Sequence, residues 1–181
     1  AVICLSAGNE GNRSNTLQFD FRDGHEFAEM WIGSRDYANY DIYGMTDIWG
    51  LDGAPFEIEL FVYDSNDGTR GTKYLMPRLE LADGDVWRVD SGSDSELVKY
   101  FKGGIEVRGG IWPGNGRRYV QVEYDLHTDE MSNKGRWARY NLGLRVLADK
   151  GQHVDIYADG SYSTLRVLAA DARPGSTASF S

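Results

Sequence analysis

Cysteine occurs once, histidine three times and proline four times in 181 residues. The lone Cys4 excludes an internal disulfide framework and a thiolate zinc cluster. His25, His127 and His153 show neither His-x-His nor His-x-x-x-His spacing, so no metal centre and no cofactor are expected. Cations are also scarce. Lys and Arg total 19 against 28 Asp and Glu, a formal net charge of −9, which repels phosphate backbones and argues against nucleic acid as a partner. No apolar run approaches the length of a bilayer span. Nor does any stretch keep apolar residues at helical spacing for three turns.

What the chain does have is glycine, 22 residues of it, and 13 % aromatics in a composition 41 % hydrophobic, which is too apolar for a disordered acidic segment. The apolar residues alternate. Phe56, Ile58, Leu60 and Val62 share one face; Val120, Val122, Tyr124 and Leu126 share another, with Gln121, Glu123 and Asp125 opposite. Leu142, Leu144 and Val146 repeat the pattern, and weaker versions run through 27–32, 40–49, 73–81, 97–111 and 154–157. Turn signals separate them: Asp52-Gly53-Ala54-Pro55, Asn66-Asp67-Gly68, Asp83-Gly84, Pro113-Gly114-Asn115-Gly116 and Asp159-Gly160. Short strands without intervening helices predict an all-β fold, an antiparallel, jelly-roll-like β-sandwich.

The first residues differ from the rest. Ala1 to Gly8 form an unbroken apolar and small-residue run, the pattern of a strand covered on both faces in an α/β sheet, followed by the polar loop Asn9-Glu10-Gly11-Asn12. This Ser-Ala-Gly-Asn-Glu-Gly context resembles the strand and oxyanion loop of subtilisin-like serine peptidases. Gly151 to Gly160 and Gly175 to Ser181 are similar to the point where certain bacterial members of that family leave a β-rich insertion and rejoin the peptidase core. The resemblance implies three parts: a core fragment over 1–14, an inserted β-sandwich over 15–165, and a return segment over 166–181. It further implies that Asn9 donates to the oxyanion in the intact enzyme, while Ser6, Gly8 and Glu10 border the substrate pocket. The partners implied are the rest of the peptidase core in cis and polypeptide substrates, in a secreted or cell-envelope protein.

Peptide hydrolysis needs a nucleophile, a base and an orienting carboxylate as well as that donor. The family's His-Gly-Thr and Gly-Thr-Ser-Met-Ala motifs are absent, so the chain alone is expected to have no peptidase activity. The rival expectation is a self-standing carbohydrate-binding sandwich. Five Trp, at 31, 49, 87, 112 and 137, and 11 Tyr supply stacking surfaces; Trp49 alternates with Ile48 and is expected outside, Trp112 before Pro113 is expected to pack on a turn. Tyr100-Phe101-Lys102-Gly103-Gly104 is superficially similar to a strand of jelly-roll alginate lyases, but that family's companion motifs are missing. Asp64-Ser65-Asn66-Asp67-Gly68 has short oxygen ligands but no later Glu, and reads as a hairpin turn before a calcium loop. Lys99, Lys102, Arg108, Arg117 and Arg118 are expected to pair with nearby carboxylates.

Overall fold

Period-two alternation buries one face of each strand, and two such faces close a core. A computed structural model describes residues 16–21, 27–34, 41–52, 54–66, 74–92, 96–133, 138–159 and 163–167. They form β1 (Thr16–Asp20), β2 (Phe27–Ser34), β3 (Asp41–Asp52), β4 (Glu57–Asp64), β5 (Tyr74–Leu79) and β6 (Val86–Asp90). There follow a 3-10 turn at Glu96–Lys99, then β7 (Lys102–Ile111), β8 (Arg117–His127), β9 (Tyr140–Leu147), β10 (His153–Asp159) and β11 (Ser163–Val167). All pairings are antiparallel, as expected of the all-β class. Sheet A has the order β1-β10-β3-β8-β7-β6 and sheet B the order β11-β2-β9-β4-β5.

The chain passes between the sheets at β1 to β2, β2 to β3, β3 to β4, β5 to β6, β8 to β9, β9 to β10 and β10 to β11, and the alternation of β1, β10, β3 and β8 with β2, β9, β4 and β5 is the jelly-roll winding. The hairpin β6–β7 widens sheet A beyond β8. Ile58, Leu60 and Val62 on β4 meet Val120, Val122, Tyr124 and Leu126 on β8 and Leu142, Leu144 and Val146 on β9 in one core. Leu97 is fully buried in the same core, so its turn caps one end of the sandwich; this part of 97–111 is helical, with the strand beginning at Lys102.

Two turns show why glycine stands where it does. Gly116 closes the β7–β8 hairpin at φ +70°, and its amide bonds to the Trp112 carbonyl at 2.9 Å. Gly103 sits at φ +103° where a Cβ would lie 1.9 Å from the Asp125 carbonyl oxygen, so β7 can pair with β8 there only through glycine.

Among the described strands the first and the last are edge strands: β1 pairs only with β10, and β11, beneath β10 and β3, closes the matching edge of sheet B. β11 runs to Val167, so Arg166 and Val167, expected in the return segment, pair with Trp31 and Met30. No described helix is long and apolar enough to cross a membrane.

Candidate functional site

The outer face of sheet A carries the most chemically varied surface among the described residues. One row crosses five strands in direct register: Gln18 opposite Asp155, Asp155 opposite Trp49, Trp49 opposite Tyr119, and Tyr119 opposite Gly110. At strand spacing the row is about 19 Å long. Each member alternates with a core residue on its own strand (Leu17, Ile156, Ile48, Val120), so the hydrophobic pattern that builds the core also aims this row at solvent.

Its aromatic half is a stacked step. The Tyr119 ring lies over Gly110, where a Cβ would come within 2.4 Å of the ring. Trp49 stacks on Tyr119 with centroids 5.1 Å apart and planes 30° apart, and Trp112 meets Trp49 edge-on at 6.1 Å and 71°. Such offset and edge arrangements suit the ring quadrupoles. Trp112 is 51 % exposed, so it packs on Trp49 while presenting much of its indole to water, beyond the turn-packing role expected of it. Tyr157 on β10, 41 % exposed, and Leu51 on β3, 40 % exposed, flank the step.

The polar half is held by a bulge. The β3–β8 register shifts between Trp49 and Asp52, which leaves backbone groups at 50 and 51 without ladder partners. Arg117 fills the first vacancy: its Nε donates to the Gly50 carbonyl at 2.8 Å and its Nη2 to the Trp49 carbonyl at 3.3 Å. Gln152, nearly fully buried, fills the second. Its Oε1 accepts from the Leu51 amide at 2.8 Å and its Nε2 donates to the Ala54 carbonyl at 2.8 Å.

Arg117 then reaches across β3 to Asp155 Oδ2 at 2.8 Å. Asp155 Oδ1 accepts from Gln18 Nε2 at 2.9 Å and bonds to His153 Nε2 at 3.1 Å, and His153 Nδ1 bonds to Asp20 Oδ1 at 2.7 Å. Burial alone pushes the Asp155 carboxyl up, but the Arg117 and His153 hydrogen bonds outweigh it and hold the group below its ordinary range. For His153 burial works against the charge, and the bonds to Asp20 and Asp155 overcome it, so its pKa is raised.

A second histidine repeats the device at the far end of the sheet. His127 on β8 bonds to Asp41 on β3 at 2.5 Å and to Asp129 at 3.0 Å, and these hydrogen bonds raise its pKa. Lys102 Nζ donates to Asp129 at 2.6 Å. Elsewhere on the face Arg88 and Arg108 both bond to Glu106, and Gln121 Nε2 donates to Asp47 at 3.1 Å. The expected pairing of cations with carboxylates is present for Lys102, Arg108, Arg117 and, through Glu80, Arg118.

Asn9, Ser6, Gly8 and Glu10 lie outside the described residues, as do Cys4 and His25. The oxygens of Asp64 and Asn66, which suggested a cation loop, are engaged internally: Asp64 accepts from the Asn66 amide and from Arg139, Asn66 from Ser132 and the Asn133 amide. Among the described residues, no three His, Cys, Asp or Glu side chains are grouped to hold a metal ion. Sequence reasoning missed Gln18, Gln152 and Asp155. No local motif marks them; their partners are on other strands. No family model matches this chain, and no curated protein does.

Proposed function

We propose that this chain is the β-sandwich insertion of a subtilisin-like serine peptidase, secreted or held in the cell envelope. The intact enzyme hydrolyses peptide bonds through a Ser-His-Asp triad supplied by the rest of the polypeptide, and Asn9 completes the oxyanion hole, with Ser6, Gly8 and Glu10 bordering the substrate pocket. One feature of the fold supports the insertion reading. Among the described strands β1 and β11 are the edge strands of the two sheets on the same flank, so the first and last described strands lie on one side of the sandwich. A segment inserted into a host fold needs that arrangement, because the host strand must be interrupted and resumed nearby.

Tethered to the oxyanion loop, the sandwich shapes access to the cleft. The test uses the intact polypeptide. Asn9→Ala lowers kcat by about 10²–10³, the scale known for the oxyanion donor of subtilisin, without changing thermal unfolding. Replacing 15–165 by a short turn alters activity on folded protein substrates more than on a short peptide. A polypeptide with no serine-directed inhibitor labelling, or Asn9→Ala at full activity, would overturn the peptidase reading. Unchanged folding, activity and substrate range after the deletion would overturn the access role.

A further inference from the structure

The aromatic step has no structural task that requires its exposure. The core is closed without it: Ile48, Val120 and Ile156 fill the inner face beneath Trp49, Tyr119 and Asp155. Two exposed rings, Trp112 and Tyr157, beside the half-buried Trp49 and Tyr119 and flanked by ordered polar groups, are the composition of a ligand site. From this face we infer that the outer surface of sheet A, along the row Gln18–Asp155–Trp49–Tyr119 and its flanks Trp112 and Tyr157, binds a neutral polysaccharide chain. The inference does not depend on the peptidase reading.

Three observations select that occupant. The first is that the aromatic step stands away from the sheet edge: β3, β8 and β10 are interior strands with a ladder partner on both sides, so a peptide cannot add as a further strand beneath Trp49 and Tyr119. Recognition must use side chains alone. The second is the mixture in one row. Rings at Trp49, Tyr119 and Trp112 suit the apolar face of a pyranose. The amide and carboxylate groups of Gln18, Asp47 and Gln121 suit its hydroxyls, and the buried Asp155 with its Arg117, Gln18 and His153 bonds orders this edge before any ligand arrives. The third is charge. Asp20, Asp41, Asp47, Asp90, Glu106, Glu123, Asp125 and Asp155 face outward on this sheet against Arg88, Lys102, Arg108 and Arg117. An anionic polymer is repelled, while hydroxyls are accepted. From Gln18 to Gly110 the row is about 19 Å long, with room for several sugar units of a linear chain.

The experiment titrates the 181-residue chain with neutral hexasaccharides of β-1,4-linked glucose, mannose and xylose and of α-1,4-linked glucose. Hexagalacturonate and an unstructured peptide of similar length serve as comparators. Calorimetry and tryptophan fluorescence are the readouts. At least one neutral hexasaccharide binds with a Kd below about 1 mM and shifts the tryptophan emission, and hexagalacturonate does not bind. Trp112→Ala and Tyr157→Ala, both at exposed positions, weaken binding about tenfold or more while leaving the thermal midpoint unchanged; Trp87→Phe, on the inward side of β6, leaves affinity unchanged. Silence with every neutral sugar, tighter binding of the peptide or of hexagalacturonate, or affinity unmoved by both exposed substitutions would overturn the inference.

Discussion

Arg117 on β8 and Asp155 on β10 are bonded at 2.8 Å across an intervening strand, and the guanidinium that joins them also caps the carbonyls of the β3 bulge. One side chain therefore ties three strands of sheet A and orders the polar edge of the aromatic step. Asp155 is largely buried and Arg117 is about one-third exposed, so the pair is better shielded than a surface ion pair, and its loss strands a carboxylate that also holds Gln18 and His153.

Replacing Arg117 by Met keeps much of the aliphatic stem and removes the bonds. The expected cost is about 2 kcal/mol or more in urea unfolding. A double-mutant cycle with Asp155→Asn should show coupling of about 1 kcal/mol. Additivity of the two substitutions would mean that the pair is only a geometric neighbour.

Gln152→Ala leaves the Leu51 amide without its acceptor and the Ala54 carbonyl without its donor. The loss should be about 1–3 kcal/mol, larger than for an exposed glutamine. Hydrogen exchange at the Leu51 amide provides a local readout, and protection there should fall ahead of that at Val120 or Val122. Equal stability and unchanged exchange would show that the bulge needs no support.

Gly143 lies beneath the Phe61 ring, where a Cβ would come within 2.3 Å of it. Phe61 is buried, so the ring has little room to yield. Gly143→Ala is therefore expected to destabilise by about 1–3 kcal/mol, and Gly143→Ala combined with Phe61→Leu to recover part of that loss. A neutral single substitution would mean that the ring relocates freely.

Both described histidines are bonded to two carboxylates, and both pKa values are raised above the ordinary 6.5. A raised folded-state pKa contributes stability fully below the unfolded value and loses it as pH rises through the folded value. The thermal midpoint should therefore fall from about pH 6 toward pH 8, and His127→Gln with His153→Gln should flatten that slope. Solvent exposure keeps each contribution within about 1 kcal/mol. Asp155 acts with the opposite sign: its lowered pKa adds stability above the ordinary carboxylate range that is lost as the solution is acidified. A midpoint independent of pH between 6 and 8 would remove both histidine pairs as stabilising contacts.

Much of the scaffold was legible because burial leaves a local trace. Val120, Val122, Tyr124 and Leu126 are buried on one side of β8, as their alternation requires, and Glu123 and Asp125 are exposed on the other. Trp49 stands outside, as its place next to Ile48 implied, although Tyr119 and Trp112 cover part of it. The strands that escaped notice, β1, β6 and β11, have five residues each, too short for a period-two signal to rise above turns. Leu97 matched the alternation and yet lies in a 3-10 turn, because one buried apolar side chain satisfies either conformation.

The sequence by itself determined the β character, the inward face of most long strands and the acidic sign of the surface, since these follow from the order of apolar and charged residues along each short segment. The tertiary structure alone decided which outward residues meet. Arg117 and Asp155 are 38 positions apart and Leu51 and Gln152 are 101 apart, and nothing local couples them. Their contact comes from the jelly-roll order that sets β10 beside β3 and β3 beside β8, and from the bulge that leaves backbone groups for Arg117 and Gln152 to claim. Strand order is a long-range choice made by packing the whole core, so the candidate binding face exists only after the sandwich has closed.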